Sequence, residues 1–285
     1  RPLRGRTAGA PGGAAFTARA GRHRGGVVRG RDISGLRVVI TGAAGGIGSA
    51  TTAALRARGS RVCGVDLHGD GEVITADVRD AGAMRTAVDE AARRLGGIDV
   101  LVNNAGIGTA QDAGAAPDDQ ARATLEINLL GAWITTAAAM PHLLRSRGHI
   151  VNVASGLAFV AMPYAAAYSA SKRGLAAYSD AVRLEYRGRV TVTTVYPGYV
   201  RTAIHEGPAA QGVALEGLVN ADSVEQAAAA LVRACSHRPR ELSTSRTTAL
   251  SLSVARHLPL LVEAVVGRRF EALRRSDGVR PTFLR

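Results

Sequence analysis

The chain has 285 residues, 46% hydrophobic and 21% charged, with a formal charge of +13; that length suits one substantial core, and open α/β sheets of roughly 200 to 250 residues stand as single domains. The charge is not a nucleic-acid footprint, because residues 1–31 carry +8, residues 233–285 carry +7 and residues 32–232 carry −2, whereas a groove binder needs its cations on one folded face. Two cysteines, Cys63 and Cys235, exclude a disulfide framework; the scattered histidines lack H-x-x-x-H ligand spacing, and no run of about 18 uninterrupted apolar residues marks a membrane span, so no metal, no nucleic-acid partner and a reducing, cytoplasmic setting are expected.

Residues 1–31 are rich in Gly, Ala and Arg, lack acids and show no apolar h-region, and they read as a disordered basic arm or a mis-assigned start. From Leu36, short apolar runs alternate with amphipathic stretches: LRVVIT, 47–58, RVCGVD, 81–95, IDVLVN, 120–146, HIVNVA, 166–187 and RVTVTTVYP. Near-continuous apolar strands separated by helices of ten or more residues predict a parallel sheet covered on both faces, hence a doubly wound α/β fold of three layers. After Pro197 the regularity lapses over 199–219, predicted as a mobile loop above the crevice at the strands' carboxyl ends. A helix follows from Asp222 to about Cys235.

The first strand runs into Thr41-Gly42-Ala43-Ala44-Gly45-Gly46-Ile47-Gly48, where a helix begins. Glycines there permit a tight turn and close approach of a pyrophosphate, whose charge is met by the amides of the helix N-terminus. The spacing is T-G-x-x-x-G-x-G rather than G-x-G-x-x-G, so the residues at the end of the second strand decide the reading. That strand ends at Asp66, where a carboxylate accepts from both adenosine ribose hydroxyls and repels a 2′-phosphate; no Arg follows at Leu67 or His68. NAD is therefore preferred over NADP, although taken alone Asp66 could merely cap a turn. Asp77 and Val78 after the third strand, and Asn103-Asn104-Ala105-Gly106 after the fourth, surround the same crevice.

Next come Asn128 in a helix, Ser155 after the fifth strand, and Tyr168-Ser169-Ala170-Ser171-Lys172 opening another helix. At a spacing of four, Tyr168 and Lys172 share a helix face, so an ammonium can favour a phenolate. Lys172 is the only lysine among 36 basic residues, as a site needing a compact cation rather than a planar fork would require. An exposed Lys beside an exposed Tyr would have the same spacing. No G-x-S-x-G elbow occurs, which excludes the commonest serine-hydrolase arrangement. His142, His149 and His205 read as surface or loop residues.

Together these segments resemble the short-chain dehydrogenase/reductase family: the T-G-x-x-x-G-x-G turn, N-N-A-G, a helix Asn, Ser, Y-x-x-x-K and a later P-G occur in order over about 35–235. The resemblance implies a Rossmann-like dinucleotide-binding catalytic domain over 32–237 and an NAD-dependent oxidoreductase acting on CH-OH groups. It implies Tyr168 as general acid/base and Lys172 as the residue that lowers its pKa and holds nicotinamide ribose. Ser155 would orient the substrate oxygen and Asn128 would position a water. Pro197, Gly198, Val200 and Thr202 would pass beside the nicotinamide, and a homodimer or homotetramer is expected.

Residues 238–285 extend past the usual family end, with Arg240–Thr244 serving as any last strand. Apolar positions from Leu250 to Phe270, with Arg268, Arg269, Arg274 and Arg275, predict a basic amphipathic helix that packs on a partner subunit, covers the substrate loop or touches an anionic membrane surface. The residues expected to face the substrate, Leu157, Ala158, Phe159, Met162, Pro163, Tyr164, Tyr199 and Ile204, include no Lys or Arg, although Arg201 is close. They predict a neutral, mainly apolar secondary alcohol or ketone. The competing reading is a catalytically idle dinucleotide-binding regulator that acts through its C-terminal extension.

Overall fold

The computed structural model describes residues 30–202, 204, 221–275 and 281. All but the last two residues of the expected basic arm, most of the loop expected over 199–219, and His205 lie outside that set.

β1 (Arg37–Thr41) shows why a sheet forms. Val38 and Ile40 enter one apolar layer and Val39 the other, all three fully buried, because successive side chains leave opposite faces of a strand. β2 (Arg61–Asp66) and β4 (Val100–Asn103) flank it in parallel, with Val39 opposite both Cys63 and Leu101. β3 (Ile74–Thr75) lies beyond β2; β5 (His149–Val153), β6 (Thr191–Tyr196) and β9 (Glu241–Ser243) continue the other side, giving the parallel order β3-β2-β1-β4-β5-β6-β9. The chain reverses direction across the sheet between β1 and β4, which opens a ligand crevice at their carboxyl ends.

α1 (Gly46–Arg56) and α6 (Val224–His237) cover one face through Leu55, Leu231 and Val232. α2 (Ala81–Leu95), α4 (Ala132–Ser146) and α5 (Ala166–Glu185) cover the other through Met84, Val88, Leu143 and Val182. Local chemistry sets their ends: the Asp80 carboxylate accepts from the Gly82 and Ala83 amides at the start of α2, and Gly96, at φ 78°, closes it in the left-handed conformation. Each fully enclosed Leu or Ile contributes roughly 1.5–3 kcal/mol, and truncating one to Ala costs ~2–5 kcal/mol.

α3 (Asp119–Leu125), a π-helical turn at Glu126–Gly131 and α4 form one helical run, Asp119–Ser146, long and apolar enough by length and composition to cross a membrane. Here it is a core helix, packed on α2 and α5.

One feature departs from the sequence reading and two give it detail. The last strand falls within Arg240–Thr244, as expected: β9 is the seventh strand of the sheet, and Leu242 packs against the α1/α6 layer. His149 is not a surface residue: it opens β5 at 0% exposure. The extension forms α7 (Arg246–His257) and α8 (Pro259–Arg275), bent by 114°. Val266 and Leu273 of α8 pack on Met162 and Ala165, and Phe270 stands edge-on to Tyr164 at 5.6 Å. Of the three placements open to it, α8 is seated on the loop after β5, while Leu258, Leu260, Leu261 and Val265 stay exposed.

Candidate active site

The crevice is assembled from the turns after β1, β4, β5 and β6. After β1 the chain turns at Gly42 (φ 65°), where an added Cβ would stand 2.8 Å from Ala105 Cα; a Cβ on Gly48 would run into the Gly42 carbonyl. Only glycine lets the three segments meet this closely. The Asn104 side chain donates to the Thr41 and Gly42 carbonyls at 3.1 Å each, and Thr41 Oγ1 accepts the Asn104 and Ala105 amides at 3.1 Å. The N-N-A-G turn is thereby knitted to the glycine turn. α1 then starts at Gly46 behind Gly45 with no side-chain cap, so the first amides of α1 face the crevice uncapped by the chain, as an anion site at a helix N-terminus requires.

Asp66 closes this end. Its Oδ2 accepts the Ala44 amide at 2.9 Å and its Oδ1 the His68 amide at 3.4 Å, and no cation among the described residues pairs with it. Asp77 is differently engaged: Arg79 grips it through Nε and Nη2, which holds its carboxyl below the usual range. Val78 is buried against Gly131. The sequence reading missed Arg79, whose charge Asp77 answers.

At the other end, Ser155 accepts the Leu157 amide at 3.2 Å and hydrogen-bonds the Tyr168 hydroxyl. Lys172 is 3% exposed; its Nζ donates to the Val153 carbonyl at 2.9 Å and lies 5.8 Å from the Tyr168 ring centre. Gly106 keeps this corner open, since a Cβ there would meet Asn128 Oδ1 at 3.1 Å and Lys172 Nζ at 3.3 Å. The Asn128 side chain is fully used: it accepts the Ile107 amide at 2.8 Å and donates to the Ile107 carbonyl at 2.9 Å and to Ser171 Oγ at 3.1 Å. It sits in the π-helical turn, after which the Ala132 amide donates to Leu129 rather than to Asn128, its partner in a regular helix. The Asn128 side chain thus has no donor left for a water.

Burial pushes the Tyr168 phenol above its ordinary value, with Ser155 pulling the other way, and it pushes the Lys172 ammonium down to about 8. Desolvation outweighs the Ser155 hydrogen bond at the phenol, so its shift is the reverse of what the four-residue spacing alone suggests.

Asn104, Gly106, Ser155, Tyr168 and Lys172 line one cleft of about 410 Å³ with Ile47, Pro197, Gly198, Val200 and Thr202, whereas Asn128, Asp66, Asp77 and Val78 are not part of its lining. Of the residues expected to face the substrate, Leu157, Met162, Tyr199 and Ile204 do so, joined by Val160 and Leu252. Phe159 is instead sandwiched between the Arg173 and Arg256 guanidiniums at 4.3 and 4.1 Å, Tyr164 is covered by Phe270, and Ala158 is buried in the core. Arg201 was the cation expected nearby; the arginine in the lining is instead Arg269, from the C-terminal helix α8. The basic character of that helix was visible in the sequence, but not which of its arginines faces the cleft.

The parallel sheet, the switch point between β1 and β4 and the glycine turn define a doubly wound α/β protein of the dinucleotide-binding type. A family model for short chain dehydrogenase matches residues 37–211, and the chain belongs to that family. It is 32% identical over 173 residues to dehydrogenase/reductase SDR family member 7B of Xenopus laevis, covering 57% of this chain and 53% of that protein. It is 35% identical over 139 residues to 11-beta-hydroxysteroid dehydrogenase 1A of Arabidopsis thaliana, covering 48% and 40%, and 39% identical over 111 residues to an uncharacterized oxidoreductase of Myxococcus xanthus, covering 38% and 44%. The chain thus spans about half the length of the curated relatives it matches. The ligand-free aldohexose dehydrogenase of Thermoplasma acidophilum shares the fold, with a TM-score of 0.66 at 24% identity over 77% of this chain and 96% of that one.

Proposed function

We propose that the protein is an oxidoreductase that transfers a hydride between NAD(H) and a neutral, mainly apolar secondary alcohol or ketone, with Tyr168 as general acid/base. The observation that carries this reading is the convergence of Ser155, Tyr168 and Lys172 in one cleft that also opens on the uncapped start of α1. The residues present suit a dinucleotide: the Gly42/Gly48 contact leaves room for a pyrophosphate against the amides of α1, and Asp66, a carboxylate with no cation partner among the described residues, would accept from ribose hydroxyls. Asp77, Val78, Asn104, Ala105 and Gly106 would line the adenosine side, and Pro197, Gly198, Val200 and Thr202 the nicotinamide side. When bound, the nicotinamide supplies the hydride acceptor or donor.

The chain's own groups do the rest. A carbonyl oxygen lying against Ser155 and Tyr168 gains two hydroxyl donors as negative charge builds on it, where such bonds are worth most. Tyr168 then gives up its proton, or takes one in the reverse direction. Leu157, Val160, Met162, Ile204 and Leu252 favour an apolar body around the reacting carbon. Cytoplasmic location and assembly into a homodimer or homotetramer go with this proposal; the half-exposed Trp133, stacked on Tyr178 at 4.7 Å, is a flat apolar surface suited to a second copy.

Incubation with NAD⁺ and secondary alcohols graded by size and charge, followed by nicotinamide absorbance, tests the reading. Turnover on neutral apolar alcohols supports it. NAD⁺ binding without turnover across a wide panel overturns it in favour of a catalytically idle regulator, and faster turnover of anionic than neutral substrates of equal size overturns the neutral class.

A further inference from the structure

Asp222 is a buried carboxylate, 7% exposed, that plays no part in the chemistry above. Burying such a group costs several kcal/mol unless donors compensate it, and no cation among the described residues does so. Three donors converge on its Oδ2 instead: the Gly198 amide at 3.2 Å, the Thr248 hydroxyl at 3.1 Å and the Thr244 hydroxyl in close contact. The Gly198 amide is shared with Thr244 Oγ1 at 3.1 Å. These donors come from the strap after β6, the residue just past β9 and the first turn of α7. β7 (Tyr199–Val200) and β8 (Ala221–Asp222) pair in parallel, which brings the carboxylate beneath the strap. Gly198 has to be glycine for this approach, since a Cβ would stand 2.5 Å from Asp222 Oδ2 and 2.9 Å from Thr248 Oγ1.

The strap residues Pro197 to Val200 line the cleft, as does Thr248, whereas Asp222 does not. We propose that Asp222 is a positioning residue that fixes the strap against the nicotinamide end of the cleft and ties it, through Thr248, to the C-terminal extension. The inference rests on the dinucleotide reading of the cleft. Charge-assisted bonds of this kind are short and directional, so the carboxylate sets where the strap's amides and carbonyls point without touching the cofactor itself. The extension then acts at both ends of the reaction site: α8 covers the substrate side, and α7 helps to hold the cofactor side.

The test compares NAD⁺ with ADP-ribose, which lacks the nicotinamide, by titration calorimetry on the full chain. The wild type is expected to bind NAD⁺ more tightly than ADP-ribose. Asp222→Asn keeps the shape and one accepting oxygen but removes the negative charge that the three donors share; it should lower NAD⁺ affinity at least tenfold, leave ADP-ribose within about twofold, and cut kcat. Thr248→Val should shift the ratio the same way by a smaller factor, and Thr248→Ser should restore it. An unchanged NAD⁺/ADP-ribose ratio in D222N, or an equal loss of both ligands, overturns the proposal. If D222N does not fold, an unchanged ratio in T248V overturns it just as well. A wild type that binds neither ligand refutes the dinucleotide reading itself, a different result from a wild type whose ratio is insensitive to Asp222.

Discussion

Replacing Asp66 by Asn separates charge from shape at the adenosine end of the cleft. The carboxylate does two jobs there: Oδ2 anchors the glycine turn through the Ala44 amide at 2.9 Å, and its charge, at the end of β2, has no cation partner among the described residues. Asn retains an oxygen for the amide, so the anchor survives while the charge goes. Unit charges about 4 Å apart interact by ~1 kcal/mol in bulk water and ~4 kcal/mol near a protein surface. Asp66 is half-buried, so a 2′-phosphate beside it should be disfavoured by ~1–3 kcal/mol, which is roughly 5- to 150-fold in affinity at ~1.4 kcal/mol per tenfold. Calorimetric Kd values for NAD⁺ and NADP⁺ on wild type and D66N measure this directly. The wild type should prefer NAD⁺ by that factor and D66N should lose most of the preference. Raising salt from ~0.1 M to ~1 M shortens the screening length from about 10 to 3 Å and should shrink the wild-type preference alone. Equal wild-type affinities, or a preference untouched in D66N, would refute the electrostatic argument; a parallel loss of both ligands would assign Asp66 to loop anchoring only.

Tyr168→Phe removes only the ionisable hydroxyl and should lower kcat by the 10²–10⁴ typical of acid/base catalysis with NAD⁺ affinity nearly unchanged; a variant retaining more than about a tenth of the rate rules the assignment out. His149 has Nδ1 2.8 Å from Thr191 Oγ1 and its pKa held at about 3 by burial. An unfolded histidine takes a proton below ~6.5 while the folded one stays neutral, so the stability it confers is complete above that pH and is lost as pH falls toward 3. Urea melts between pH 7 and 4.5 should lose up to about 2–3 kcal/mol on this account, and His149→Gln should flatten that slope; parallel slopes would exclude it. Arg269→Leu should leave turnover of neutral apolar alcohols within about threefold; a tenfold drop would show that Arg269 reads the substrate.

The elements legible in the sequence were those whose pattern is local. Apolar runs such as RVVIT and DVLVN announce strands buried on both faces, and the glycine turn, N-N-A-G and Y-x-x-x-K carry their spacing with them. Elements defined by what they pack against were not legible. β3, β7 and β8 have two residues each, too few for any periodicity to register. His149 opens a strand whose burial depends on β4 and β6 lying either side. Asp222 precedes Ser223, which caps α6 in a capping box with Gln226; an acid there reads as helix-start chemistry, and only the fold brings Gly198, Thr244 and Thr248 onto it. The amphipathic pattern of α8 was visible, but its partner was not, because a stripe of apolar positions does not say what it faces.

The opposed shifts of Tyr168 and Lys172 bear on why the sole lysine stands where it does. Desolvation penalises whichever form carries charge, so one enclosed corner raises the phenol and lowers the ammonium together. With the ammonium titrating at about 8 and the phenol above its ordinary value, both groups hold their protons at neutral pH. On the proposed reading, Tyr168 would then be ready to act as an acid toward a carbonyl oxygen, and acting as a base would ask for more positive charge than these two groups provide. A wider, always-charged guanidinium would not serve in place of Lys172: Nζ fits between the Val153 carbonyl, 2.9 Å away, and the face of Gly106, where a single added carbon would already lie 3.3 Å from it. Space therefore selects the compact cation, and burial then tunes it.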